Sequence, residues 1–251
     1  MTSIREIEEF CKSIAPYELA DDWDNVGLLV GAENDSVDKV LLALDITPEV
    51  VEEAQQIGAG LVISHHPVIF DPLRAITPDS AVYALAKNGV AALCLHTNLD
   101  RAEQGVNVAL GRALELKNTA FYPEDYFLVG EPETPMTAQE FALFIKEKLD
   151  APSVRFTEGH VTRVAVSSGG GGEGVELAEK YGFDAFVTGE MKHHQYLWAN
   201  THGIAAFDAG HFSTENIVIE PLRETLANAF PQTKFIISRQ TCPYSEAASL
   251  K

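Results

Sequence analysis

The feature that most constrains the fold of this 251-residue chain is an alternation of short, continuously apolar runs with longer amphipathic stretches. The runs 26–30 (VGLLV), 40–46 (VLLALDI), 61–64 (LVIS), 91–95 (AALCL), 161–167 (VTRVAVS), 184–188 (DAFVT), 204–208 (IAAFD) and 234–238 (KFIIS) read as strands. Successive side chains of a strand point to opposite faces, so a run apolar at every position has to be covered on both sides. Cover is available from helices expected at 48–57, 79–88, 104–114, 137–149, 173–181, 190–201 and 214–229. A further helix over 3–14 gathers Ile4, Ile7, Phe10, Cys11 and Ile14 on one side, behind a Thr2 or Ser3 cap. Strands joined by covering helices define an α/β fold. The stretch 118–136, rich in Pro, Glu and aromatics and without clear periodicity, reads as a linker between two lobes, 1–120 and 121–251.

The two lobes echo each other. A shift of 124 positions carries Val37, Lys39 and Val40 onto Val161, Arg163 and Val164, then Val51, Glu52 and Ala54 onto Val175, Glu176 and Ala178. LVIS (61–64) falls on AFVT (185–188), and after a shorter loop Gly89-Val-Ala-Ala matches Gly203-Ile-Ala-Ala. Each unit then ends in a His-x3-acid pair, His96 with Asp100 and His211 with Glu215. Any two βαβ units share some of this pattern, but an ungapped offset over about 28 positions favours internal duplication. The expected architecture is two similar α/β lobes facing each other.

Charge narrows the partners. With 37 acidic and 18 basic residues the formal net charge is −19. A field of that sign opposes broad contact with a phosphate backbone or an anionic membrane. It leaves room for a small anionic substrate held by metal ions, and eight histidines make metal binding worth testing. Cys11, Cys94 and Cys242 have no paired spacing and are too few for a disulfide framework. The start MTSIREIEEF has no apolar core of a signal peptide, and no apolar run approaches the ~20 residues of a membrane span. A cytoplasmic protein is expected.

Three segments carry candidate chemistry, each after a strand expected to be buried. Ligands in open α/β sheets collect beyond the carboxyl ends of strands. ISHHPVIF (63–70) holds adjacent His65 and His66, which in extended backbone point to opposite sides. The pair therefore straddles either two metal ions, or one ligand and one structural group. CLHTNLDRAEQGVN (94–107) and FDAGHFSTEN (207–216) place His96 with Asp100, and His211 with Glu215, on one helical face each. Taken singly, a His-x3-acid pair is more often a surface ion pair. Together, imidazole and carboxylate suit Zn, Mn, Fe or Ni better than Ca or Mg.

The motifs DDWDNVGLLVG (21–31), ISHHPVIF, HTNLDRAEQGVN (96–107), VTGEMKHHQ (187–195) and FDAGHFSTE (207–215) resemble the GTP cyclohydrolase 1 type 2 homologs, also called NIF-three-like dinuclear metal proteins. The resemblance runs from about residue 5 to the C-terminus. It implies two α/β lobes with a dinuclear metal site in the cleft between them, and a toroidal homohexamer. It also implies five ligands, which match His65, His66, Asp100, His211 and Glu215 with no departure. Longer members carry an inserted domain, and this chain resembles the short form.

Because His65 and His66 are expected to diverge, we assign His66 and Asp100 to one metal, His65 and His211 to the other, with Glu215 bridging. Two such ions suit hydrolysis by a metal-activated water, with Glu215 and His96 as catalytic residues. His96 reads as a proton shuttle or as a partner of a ligand, and a buried structural role is about as common. Asp45 is placed to orient a ligand histidine. Glu190 falls on His66 under the repeat offset and is expected at the same cleft. His193 and His194 read equally as substrate contacts or helix surface, and Trp23 as packed. The glycines 169–172 lack the lysine of a phosphate loop, so backbone flexibility near the cleft is the better reading.

Two functions follow. One is a hydrolase acting on a small phosphorylated or nucleotide-like substrate, with GTP ring opening suggested by the family name. The other is a metal storage, metal delivery or regulatory protein using the same ligands.

Overall fold

The computed structural model describes residues 1–245. They form two compact units. The first joins Met1–Gly105 to Ile219–Thr241, and the second joins Val106–Val218 to the described residues from Cys242. The helix Ile219–Ala229 and the strand Lys234–Ile237, which the expected division at 120/121 assigns to the second lobe, therefore belong to the first unit.

The first unit is built on five strands in the order Lys234–Ile237, Lys39–Ala43, Leu61–Ser64, Ala91–Cys94, Gly27–Val30. The first four run parallel and the last is antiparallel. Leu61–Ser64 and Ala91–Cys94 are buried along their whole length, as their unbroken apolar sequences require. Leu41, Val51, Ala54, Val62, Leu85 and Ala92 share one core. The helix Pro48–Ile57 begins on Thr47, whose hydroxyl accepts the Val50 N–H, and stops at Gly58, which adopts φ +71°. Ser3 and Glu6 close a reciprocal capping box on the helix Ile4–Ile14.

The second unit is built on a six-stranded sheet, ordered Arg155–Phe156, Ala205–Asp208, Ala185–Thr188, Val164–Ser167, Phe127–Glu131, Lys117–Tyr122. The middle three that follow Arg155–Phe156 are mutually parallel, and the flanking strands are antiparallel to their neighbours. The stretch expected to be a linker thus contributes a hairpin, turned by Pro123–Asp125 with Tyr126 at φ +55°. Its first strand escapes sequence reading because it is a largely uncovered edge with no apolar run. Its second strand is buried from Phe127 to Gly130 but is short and lies among Pro and Glu. Phe141 and Phe207 meet edge to face in the core of this unit.

The same order of elements recurs in both units. In each, a two-residue strand pairs antiparallel with the segment just before the first parallel strand: Thr2 opposite Val37, and Met136 opposite Val161. A helix with a capping box follows each, Ser3 with Glu6 and Thr137 with Glu140. Three parallel strands succeed in sequence, and the strand that precedes them lies antiparallel beside the third. Val37 and Val161 are the residues that the 124-position shift superposes. Among the described residues no helix is long and apolar enough to cross a membrane.

Candidate metal centre

In the first unit the parallel strands deliver three histidines beyond their carboxyl ends. Leu61–Ser64 is followed at once by His65 and His66, and Ala91–Cys94 by Leu95 and His96. The His66 N–H donates to the Leu44 carbonyl (2.9 Å) and the Ser64 hydroxyl to the His66 carbonyl (2.7 Å), fixing the backbone at this exit.

Every ring is held through Nδ1. His65 Nδ1 lies 2.9 Å from the Leu95 carbonyl, His66 Nδ1 2.7 Å from Asp45 Oδ1, and His96 Nδ1 2.8 Å from Asp24 Oδ1. A carbonyl or carboxylate only accepts, so in the neutral ring the proton sits on Nδ1 and Nε2 is the lone-pair nitrogen. That is the arrangement in which histidine binds metals, with the partner of the other nitrogen fixing the tautomer. A nitrogen from each of His65, His66 and His96 lies within 4.8 Å of the other two. Asp100 Oδ1 stands 3.7 Å from His65 Nε2.

This geometry corrects the expectation that His65 and His66 diverge. The strand ends at Ser64, so the alternation of an extended chain no longer governs the two residues. Their rings lie 5.0 Å apart and tilted by 40°, and each is also close to His96 (5.2 and 5.6 Å).

Within DDWDNVGLLVG, residues 23–25 (WDN) serve His96 and the loop after His66, a role that sequence reasoning missed. Asp24 takes His96 on one oxygen and the Thr97 N–H (3.0 Å) and hydroxyl (2.5 Å) on the other. Burial opposes its ionisation, but the bonds from His96 and Thr97 outweigh it and hold the carboxyl well below the usual carboxylate range. Asn25 donates to the Ile69 carbonyl (2.6 Å), tying the motif to the loop after His66. Trp23, expected to be packed, is 58% exposed and leans on Phe70. Asp45 is locked by Gln240, which accepts its N–H (3.1 Å) and donates to its free oxygen (3.3 Å).

The second unit carries a His–acid pair of its own. His211 and Glu215 sit one turn apart on the helix His211–Glu215, after the strand Ala205–Asp208. Glu190 Oε1 lies 3.0 Å from His211 Nδ1, doing for this ring what Asp45 does for His66. On the other side His211 Nε2 faces Glu215 Oε2 at 2.9 Å. With Nδ1 protonated toward Glu190, that contact sets two acceptors face to face, which calls for a proton or a cation. Glu215 is almost wholly buried.

Gly169 borders the pair. A Cβ there would come within 1.9 Å of Glu215 Oε1 and 3.1 Å of His211 Nε2. The glycine run thus brings backbone close to the Glu215 carboxylate. It opens a 3-10 helix, Gly171–Leu177, and not the α-helix of a phosphate loop. His193 and His194 are exposed at the start of the helix His193–His202 and belong to neither group. The donor set of imidazole nitrogens and carboxylates fits a divalent transition metal.

The family model described as Duf34/NIF3 (NGG1p interacting factor 3) matches residues 2–243. A Clostridium acetobutylicum protein named GTP cyclohydrolase 1 type 2 homolog is 31% identical, over 84% of this chain and 85% of the relative. A Streptomyces coelicolor protein of the same name is 35% identical, over 86% and 82%. A Staphylococcus aureus crystal structure superposes with a TM-score of 0.91 at 30% identity, covering 98% of this chain and 99% of that one. The extent of the family match and the identity to these relatives establish that the chain belongs to the Duf34/NIF3 family.

Proposed function

We propose that the chain holds two divalent transition-metal ions, of the Zn, Mn, Fe or Ni class, and hydrolyses a small phosphorylated or nucleotide-like substrate. The ligands would be His65, His66 and Asp100 of the first unit and His211 and Glu215 of the second. The observation that carries the reading is the tethering of each histidine by Nδ1, to Leu95, Asp45 and Glu190 respectively, with Nε2 as the lone-pair nitrogen. Bound divalent ions would supply Lewis acidity and a water acidified toward neutral pH.

The chain's own residues do the rest. Asp45 and Glu190 keep their rings in one tautomer and one orientation, so ligand geometry is set before any ion arrives. Glu215 offers a second oxygen beside His211. His96, held by Asp24, presents a nitrogen able to take up or release a proton next to His65 and His66. The name of the curated relatives supports placing GTP among the first substrates to try. A homohexameric ring in the cytoplasm completes the proposal.

The test is metal analysis of the purified chain followed by a screen of Mn-, Zn- and Fe-loaded protein against nucleotides and phosphoesters. Two metals per chain and turnover lost in a folded Glu215→Gln variant are expected. Tight metal binding with no turnover on any substrate would transfer the site to metal storage or delivery. Failure to bind metal would overturn the reading.

A further inference from the structure

A cavity of about 340 Å³ opens in the second unit, beyond the carboxyl ends of Ala185–Thr188 and Ala205–Asp208. Its walls include Ser153, Arg155, Glu190, Gly210, His211 and Tyr244. The volume falls in the range of small-molecule sites, and the place is where ligands of α/β sheets bind. One wall is His211 itself.

Among the described residues that line the cavity, Arg155 is the sole Lys or Arg. It lies opposite Asp208 in the antiparallel pairing of Arg155–Phe156 with Ala205–Asp208. Its Nη2 donates to Asp208 Oδ2 at 2.6 Å, while the Arg155 side chain stays 69% exposed. The buried Asp208 is itself fixed by the Tyr196 hydroxyl (2.9 Å) and by the N–H groups of Met191 (3.2 Å) and Gly210 (3.3 Å). A guanidinium has five N–H donors in a rigid fork, and Asp208 engages one nitrogen of it. Four protein groups thus converge on one carboxylate whose remaining effect is to set the direction of an exposed cation. In a chain of net charge −19 the general field repels anions, so an anion needs a local donor of this kind.

We propose that this cavity is an anion subsite, in which Arg155, oriented by Asp208, holds the phosphate or carboxylate group of a small organic anion whose remainder lies against His211. The proposal deepens the metal reading through His211, but the Arg155 contact itself is independent of the metal. A charge-assisted, fork-shaped contact favours a group with two or three oxygens in one plane or face, which both anion classes offer.

The experiment is calorimetric titration of the full-length chain, manganese-loaded and chelated, with inorganic phosphate and with succinate. Wild type, Arg155→Gln and Arg155→Lys are compared at low ionic strength, with manganese content and melting temperature measured on the same samples. Phosphate or succinate affinity is expected to fall about tenfold or more in Arg155→Gln and to recover in part in Arg155→Lys. Manganese content should be equal in all three. Affinity unchanged in Arg155→Gln overturns the proposal, as does a loss that merely follows lost manganese or a lowered melting temperature. If no form binds manganese yet the Arg155 dependence persists in the chelated protein, the metal reading fails and the subsite stands.

Discussion

Replacing Gly169 by alanine tests the site through its backbone. The new Cβ would stand 1.9 Å from Glu215 Oε1 and 2.8 Å from its Cδ, so the carboxylate must retreat by about 1.5 Å to reach an ordinary 3.4 Å contact. Glu215 is buried, which leaves it little freedom to turn aside. Metal–ligand distances tolerate only about 0.2 Å, so a displacement of this size removes Glu215 from any site that depends on it. Metal affinity should drop by about 100-fold or more, beyond the 10–100-fold typical of losing a supporting partner. Alanine at φ +55° adds a conformational cost of about 1 kcal/mol, a fall of a few degrees in melting temperature for a chain of this length. The adjacent Gly170 is the control: its φ is −76° and a Cβ there meets nothing within 4 Å. Metal titration followed by fluorescence or elemental analysis should separate Gly169→Ala from both wild type and Gly170→Ala. Metal affinity of Gly169→Ala within twofold of wild type would refute the idea that this backbone is shaped around Glu215.

Two further outcomes follow from the tethered histidines. Asp45→Asn and Glu190→Gln should each weaken metal binding by about 10–100-fold, read by chelator competition, because an amide no longer enforces the Nδ1-protonated tautomer. Asp24→Asn should destabilise the first unit by about 1.5–3 kcal/mol at neutral pH, measured by urea unfolding. Since folding lowers the Asp24 pKa, its contribution is present above the ordinary carboxylate range and lost as the pH falls below about 4, so wild type and variant should converge in acid.

Much of this fold is written in local sequence. Uninterrupted apolar runs such as LVIS and AALC can only be central strands of a covered sheet, and they are. The His-x3-acid spacing correctly brought His211 to Glu215. What escaped was non-local. The edge strand Lys117–Tyr122 earns its structure from its neighbour and so shows no apolar signature of its own. His65 and His66 converge because the strand stops one residue before them, a boundary that periodicity cannot locate to a single position. The service of Asp24 to His96 spans 72 positions, and Arg155 with Asp208 spans 53. Pairs of that kind leave no spacing rule to read.

The divided first unit has a consequence for synthesis. Its sheet is completed when Lys234–Ile237 pairs with Lys39–Ala43, in the register Lys234 opposite Lys39. At about 5–20 residues per second, some tens of seconds separate the emergence of the two partners from a ribosome. Throughout that interval the strand bearing Val40, Leu41 and Leu42, all fully buried in the finished protein, has one naked edge. The intervening residues, Val106–Val218, carry nearly the whole second unit and can fold while the first waits. A nascent or prematurely terminated chain therefore presents a sticky edge that holdase chaperones would shield, and the segment Ile219–Thr241 acts as the clasp that closes it.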